Sequence, residues 1–137
     1  MRTGYHSGMI IAVVDDLMFA SKIRSAAEHA GIEIAFVRSP DAVVADVTAK
    51  RPSLVIFDLD REHLDPVGSI RSIRSHPDLN STRLIAYVRH TSTDLIEAAR
   101  EAGIDQVLAR SAFVGALPAM FASAGVPGSG PEPSDKA

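Results

Sequence analysis

The sequence predicts a doubly wound α/β sandwich, in which helices cover both faces of a parallel β-sheet. The first observation behind this prediction is that short apolar runs alternate with segments of helical periodicity five times along the chain. The second is that two of these runs, residues 10–14 and 54–57, are entirely apolar, as expected of strands buried on both faces. The chain has 137 residues, 46% of them hydrophobic, which is enough for one core of this kind.

Each βα unit contributes one strand and one helix. Apolar runs predict strands at residues 10–14, 32–37, 54–57, 84–88 and 106–109. Helical spacing of apolar residues predicts helices at residues 17–30, 40–50, 67–75, 95–102 and from residue 111 onward. Successive parallel strands joined by helices are expected to form right-handed crossovers.

Capping residues and prolines set the predicted helix ends. Gly31 and Gly103 are placed to end the first and fourth helices, because glycine adopts the left-handed conformation that helix ends favour. Ser39 precedes a proline and is expected to act as an N-cap. Ser111 is expected to cap the last helix, which Pro118 should kink or split.

Composition divides the chain into a flexible leader at residues 1–8, one folded domain at residues 9–125 and a disordered, proline- and glycine-rich tail at residues 126–137. A net charge of -3 gives no broad basic field, so nucleic acid and anionic lipid are not expected partners. The chain has no cysteine and no apolar segment long enough to span a bilayer. We therefore expect a cytoplasmic protein.

Acidic residues follow two of the predicted strands. Asp15 and Asp16 come directly after the first apolar run, and Asp58 comes directly after the third. If those strands are neighbours, the three carboxylates meet at the carboxyl edge of the sheet, where open α/β sheets bind ligands. Crowded carboxylates repel one another unless a cation lies among them, and oxygen-only ligands suit Mg²⁺. An N-cap role for one of the adjacent acids is the simpler alternative.

This arrangement resembles the receiver domain of two-component response regulators. Five βα units, an acidic pair after the first strand, a lone aspartate after the third and a basic residue, Arg110, after the fifth are typical of that family. The resemblance covers nearly the whole folded part of the chain. It implies a flavodoxin-like three-layer sandwich with a five-stranded parallel sheet in the order 2-1-3-4-5.

The resemblance also implies roles for individual residues. Asp58 matches the phosphoacceptor aspartate, and Asp15 with Asp16 matches the metal-binding pair. The backbone carbonyl of Asp60 would complete the protein ligands of a weakly bound Mg²⁺. The carboxylate of Asp58 would take a phosphoryl group from a phosphohistidine, and Arg110 would contact either that group or Asp58 itself.

Implied partners are proteins: a histidine kinase or phosphotransfer protein as donor, and a downstream effector. The sequence contains no output domain, so we expect a stand-alone bacterial signalling module rather than an enzyme. Its effect would pass through changed protein contacts. A homodimer through the last two helices is a further expectation from the family.

Several positions depart from the family pattern. Arg110 followed by Ser111 stands where the family has lysine and proline, and Tyr87 or Val88 stands where it has a small hydroxyl residue. Tyr87, Val88 and His90 are therefore the candidate switch region. A pseudo-receiver is the alternative: the same fold, with Arg110 bound to Asp58 in a permanent ion pair, working as an interaction or dimerisation module.

A different class of protein also has a local match. The strand at residues 54–57 followed by Asp58, Leu59 and Asp60 is similar to the first motif of haloacid-dehalogenase phosphohydrolases. That resemblance would make Asp58 the nucleophile and Asp60 the general acid/base. The later lysine and acidic pair of that family have no counterpart, because the only lysine after Asp60 is Lys136. This hypothesis therefore ranks third.

Overall fold

The computed structural model describes residues 8–89 and 93–124. Five strands lie at β1 Ile10–Val13, β2 Ile34–Phe36, β3 Leu54–Asp58, β4 Arg83–Val88 and β5 Gln106–Ala109. Five α-helices lie at α1 Leu17–Ala30, α2 Pro40–Lys50, α3 Pro66–Arg74, α4 Thr93–Ala102 and α5 Arg110–Ala124. The strands form one parallel sheet in the order β2-β1-β3-β4-β5, which confirms the predicted flavodoxin-like sandwich.

Two apolar clusters, one on each face of the sheet, hold the layers together. Alternate residues of each strand point to opposite faces, so Ile11 and Val55 join one cluster whereas Ile10 and Ile56 join the other. All four of these side chains are buried. The central strands are therefore apolar on both faces, which is why they appear in the sequence as continuous apolar runs.

The strand register places the acidic residues at one edge. β1 pairs with β3 from Ile10 opposite Leu54 to Val13 opposite Phe57, so both strands end at the same level. Asp58 is one residue further along β3, and it lies opposite Tyr87 of β4. The sequence expectation that the first and third strands are neighbours is confirmed.

The second strand is shorter than predicted. Residues 34–36 pair with β1, whereas Ile32 donates its backbone N–H to the carbonyl of Ala27 at 2.9 Å. That hydrogen bond belongs to the end of α1, where Gly31 adopts φ 69° in the left-handed region. Apolar character alone could not separate a strand residue from one that completes the preceding helix end.

The expected cap of the last helix is wrong, and of the two effects expected of Pro118 the split is not observed. α5 begins at Arg110, directly after β5, so Ser111 lies inside the first turn rather than at the cap. Pro118 does not split the helix, which continues to Ala124. Phe113, Leu117 and Phe121 are all buried against the same face of the sheet, and this packing holds the helix together on both sides of the proline.

Within residues 8–89 and 93–124, no helix combines the length and the apolar character that crossing a membrane requires.

Candidate functional site

Three carboxylates meet at the carboxyl edge of β1 and β3. Asp15 and Asp16 follow β1, and Asp58 is the last residue of β3. Asp16 is also the N-cap of α1, since its Oδ1 accepts hydrogen bonds from the backbone N–H groups of Met18 at 3.0 Å and Phe19 at 3.2 Å. The site and the helix cap that the sequence offered as alternatives therefore coexist in one residue.

A single arginine contacts all three carboxylates. Arg61 Nε lies 3.3 Å from Oδ1 of Asp15 and 3.6 Å from Oδ2 of Asp58. Its Nη2 lies 3.8 Å from Oδ2 of Asp16. Arg61 is three residues beyond Asp58, and its backbone N–H donates to the carbonyl of Asp58 at 3.3 Å, so the turn after β3 directs the guanidinium back over the strand end.

The remaining carboxylate oxygens are also occupied by the chain's own groups. Asp15 Oδ2 forms a hydrogen bond with His63 Nε2 at 2.6 Å. Asp58 Oδ1 accepts from the backbone N–H of Asp60 at 3.0 Å. Together with the helix cap and the two arginines, these contacts engage every carboxylate oxygen of Asp15, Asp16 and Asp58.

Arg110 pairs with Asp16. Its Nη2 donates to Asp16 Oδ2 at 3.0 Å, and its guanidinium lies 4.1 Å above the ring of Phe19. The predicted direct ion pair of Arg110 with Asp58 is not formed in the structure, because stacking on Phe19 directs the guanidinium to the carboxylate that caps α1. Hydrogen bonding to Phe19 and then Arg110 lower the pKa of Asp16, while desolvation opposes that shift.

Asp58 and Asp60 have different surroundings although they are two residues apart. Asp58 is buried, and this burial raises its pKa above the usual range of aspartate even with Arg61 beside it. The carboxylate of Asp60 points elsewhere: its Oδ2 accepts from the backbone N–H of Arg89 at 2.6 Å. That hydrogen bond joins the loop after β3 to the end of β4.

Among the candidate switch residues, Tyr87 forms part of an aromatic cluster rather than a polar surface. Tyr87 packs between Phe19 and Phe113, with ring centroids 4.6 and 4.7 Å away. Its hydroxyl is buried and has no hydrogen-bond partner among the residues that the structure describes, and burial raises its pKa. Val88, the last residue of β4, is also buried. His90 lies outside the described residues.

The residues as arranged do not fit a bound Mg²⁺. Their oxygen-only chemistry suits the ion, but the guanidinium of Arg61 lies among the three carboxylates, where a cation would otherwise bind. Among the residues that the structure describes, no group of three or more histidine, aspartate or glutamate side chains is arranged to hold a metal ion. Arg61 would have to leave before the carboxylates could turn towards a metal.

Sequence reasoning identified the carboxylates but missed Arg61 and His63. Both lie in the segment directly after Asp58. A count of charges offered a signal, because three crowded carboxylates require nearby cations, and an arginine three residues from Asp58 is close enough to supply one.

Comparison with known proteins agrees with this fold. The response regulator receiver domain family matches residues 10–121. No curated protein matches the chain by sequence. Among solved structures, a response regulator from Hahella chejuensis has a TM-score of 0.76 at 19% identity, covering 86% of this chain and 95% of its own.

Two further solved structures show the range of states in this fold. The phosphorylated cyanobacterial phytochrome response regulator RcpA has a TM-score of 0.70 at 20% identity, covering 85% of this chain and 89% of its own. The receiver domain of a sensor histidine kinase from Pseudomonas aeruginosa, with magnesium coordinated in its active-site cleft, has a TM-score of 0.72 at 19% identity. It covers 82% of this chain and 93% of its own.

A parallel sheet in the order 2-1-3-4-5 with acidic residues at its carboxyl edge defines the receiver class of signalling domain. With the family match spanning most of its length, this chain belongs to the response regulator receiver domain family.

Proposed function

We propose that this chain is a pseudo-receiver, a signalling module that acts through protein contacts without needing phosphorylation. The single observation that supports this proposal is the complete engagement of the carboxylate oxygens of Asp15, Asp16 and Asp58 by groups of the chain itself. The sequence alone allows a pseudo-receiver in which Arg110 is the permanent cation beside Asp58. In the pseudo-receiver proposed here, that role belongs to Arg61, and Arg110 pairs with Asp16.

Electrostatics explains why such a pocket has one stable state. In a receiver that depends on a metal, the resting carboxylates repel one another, and bound cation and phosphoryl group then change the charge of the site. Here two guanidinium groups offset most of the negative charge of the three carboxylates, and hydrogen bonds from the chain engage their remaining oxygens. The site therefore has little to gain from an external cation, and its geometry is set by the sequence.

Exposed apolar side chains beside the pocket support a role in protein contacts. Leu17 and Met18, the first residues of α1, are 68% and 78% exposed, and they are the exposed large hydrophobic residues among those that the structure describes. They follow Asp16 directly, so a protein that covers them also covers the mouth of the pocket. The partners we propose are a histidine kinase or phosphotransfer protein and an effector, met in the cytoplasm, as well as a second copy of the chain.

A phosphate-accepting receiver is the second candidate. The observation that favours it is the position of Arg61, whose side chain is 35% exposed on a surface turn and makes contacts no shorter than 3.3 Å. If this side chain swings outward, Asp58 becomes the phosphoacceptor and Asp15, Asp16 and the carbonyl of Asp60 become the ligands of Mg²⁺. Arg110 would then be the cation nearest the phosphoryl group.

Intact-mass measurement separates the two candidates. The full chain is incubated with Mg²⁺ and acetyl phosphate and then weighed, beside Asp58→Asn as the control. A pseudo-receiver gives no phosphoryl adduct in either protein. An adduct on the unmodified chain that is lost in Asp58→Asn contradicts the pseudo-receiver and establishes the second candidate. Hydrolysis of a phosphomonoester would contradict both and support the phosphohydrolase hypothesis.

A further inference from the structure

Arg61 places one positive charge among the three carboxylates of the site. Asp15, Asp16 and Asp58 come from two different strand ends, yet one guanidinium lies within 3.8 Å of an oxygen of each. We propose that Arg61 is a built-in cation that excludes divalent metal from this pocket, and that its removal converts the three carboxylates into a metal site. This inference deepens the proposed function. Its consequence for signalling rests on the proposed function, whereas the exclusion of metal by Arg61 does not.

The other cations of the pocket cannot take over this role. Arg110 contacts Asp16 and is held over the ring of Phe19. His63 contacts Asp15. Without Arg61, Asp58 loses its ion pair and retains the hydrogen bond from the backbone of Asp60, although it is the most buried of the three carboxylates. The loss of Arg61 therefore leaves a concentration of negative charge that a small divalent cation can neutralise.

The backbone after β3 holds Arg61 in place. Residues 62–64 form a short 3₁₀ turn, in which Leu64 donates its N–H to the carbonyl of Arg61 at 3.0 Å. The side chain of Leu64 is fully buried in the core on one face of the sheet. This anchor fixes the start of the arginine side chain next to Asp58, so contact with the carboxylates costs less conformational entropy than it would for an arginine on a free loop.

A plain surface ion pair is the alternative explanation for these contacts. Exposed pairs of that kind form between two flexible side chains and contribute little. The side chains of Asp15, Asp16 and Asp58 are 24%, 23% and 7% exposed, and all three converge on the same group. Convergence of three carboxylates on one cation is the arrangement that a metal ion would otherwise produce.

The test is calorimetric titration of the full chain with Mn²⁺ alone. We expect Arg61→Gln to bind Mn²⁺ at least about ten-fold more tightly than the unmodified chain, because one positive charge has been removed next to the carboxylates. Arg71→Gln is the matched control, since it removes the same charge from an exposed position of α3. It should bind Mn²⁺ like the unmodified chain.

The double variant Arg61→Gln with Asp58→Asn locates the new site. It should lose the gain in affinity, because a carboxylate has been replaced by a neutral amide. Equal affinity in the unmodified chain and in Arg61→Gln overturns the proposal, as does a gain that the double variant retains. Far-UV circular dichroism and thermal unfolding verify that each variant folds; Arg61→Met, which keeps the aliphatic stem, replaces Arg61→Gln if the latter does not.

Failure of this inference and failure of the proposed function give different results. A phosphoryl adduct on the unmodified chain overturns the pseudo-receiver whatever the metal titrations show. Unchanged Mn²⁺ affinity in Arg61→Gln overturns the role of Arg61 but leaves the absence of an adduct, and with it the pseudo-receiver, intact.

Discussion

The guanidinium of Arg110 donates to Asp16 at 3.0 Å while it stacks on Phe19, the residue whose backbone N–H also binds Asp16. One carboxylate therefore joins the start of α5 to the start of α1. Both helices cover the same face of the sheet; Asp16 is the N-cap of α1, and Arg110 is the first residue of α5. This junction makes the stability of the fold depend on the residues of the candidate site.

Replacing Arg110 tests this junction. Arg110→Ala should lower the free energy of unfolding by about 1 kcal/mol, since it removes a partly buried ion pair and a cation–π contact. Chemical denaturation gives the value. Arg110→Lys is the matched control and should lose less, because the charge remains but the planar stacking does not. A stability of Arg110→Ala equal to that of the unmodified chain would show that the contacts contribute nothing.

The helix cap at Asp16 can be separated from its charge. Asp16→Ala should destabilise the protein by about 1 kcal/mol through loss of the N-cap, whereas Asp16→Asn keeps a capping oxygen and should lose less. Because hydrogen bonding to Phe19 and Arg110 lowers the pKa of Asp16 in the folded state, its charge stabilises the protein above the unfolded pKa of about 3.9.

That stabilisation is lost as the pH falls through the lowered folded pKa. Denaturation midpoints of the unmodified chain and of Asp16→Asn should therefore converge at strongly acidic pH. A difference between the two proteins that stays constant from neutral to acidic pH would contradict this assignment of the charge.

Asp58 should behave in the opposite way. Burial raises its pKa, so the folded state binds a proton more readily than the unfolded chain, and the ionised carboxylate destabilises the fold as the pH rises through that raised pKa. Asp58→Asn is then more stable than the unmodified chain at pH 7. The advantage should disappear below a pH of about 4, where both states are protonated.

Thermal unfolding across this pH range provides the measurement. If Asp58→Asn is less stable than the unmodified chain at neutral pH, the attraction between Asp58 and Arg61 exceeds the cost of burying the carboxylate.

The hydroxyl of Tyr87 should be dispensable for folding. It is buried without a hydrogen-bond partner within residues 8–89 and 93–124, so Tyr87→Phe should leave the stability unchanged or raise it by up to about 1 kcal/mol. Tyr87→Ala, which also deletes the ring between Phe19 and Phe113, should cost about 3–5 kcal/mol. Equilibrium denaturation distinguishes the two variants, and a clear loss in Tyr87→Phe would reveal a hydrogen bond to the hydroxyl.

Periodicity and capping residues were sufficient to predict the layers of the fold, and the strand order implied by the family resemblance brought Asp15, Asp16 and Asp58 to one edge. These features depend on local patterns and on the general rule that the carboxyl ends of parallel strands share one edge. The directions of Arg61 and Arg110 could not be predicted in the same way. One depends on a 3₁₀ turn anchored by Leu64, and the other depends on a ring from a different helix.

The helix ends show the same division. Gly31 was predicted correctly because a left-handed residue at a helix end has a simple local cause. Pro118 does not split α5, because burial of the residues on both sides, which the sequence does not reveal directly, outweighs the local cost of a proline. Tertiary packing decides both the continuity of α5 and the target of Arg110.

The hydrogen bond between the Asp60 carboxylate and the Arg89 backbone connects the loop that carries Arg61 to the end of β4. Asp60 is the immediate neighbour of Arg61, and Arg89 directly follows β4 on the chain's way to the fourth helix. A displacement of the Arg61 backbone must therefore either lengthen this hydrogen bond or move Arg89 with it. A protein bound next to Arg89 would therefore respond to a change in the pocket without contacting any of its carboxylates.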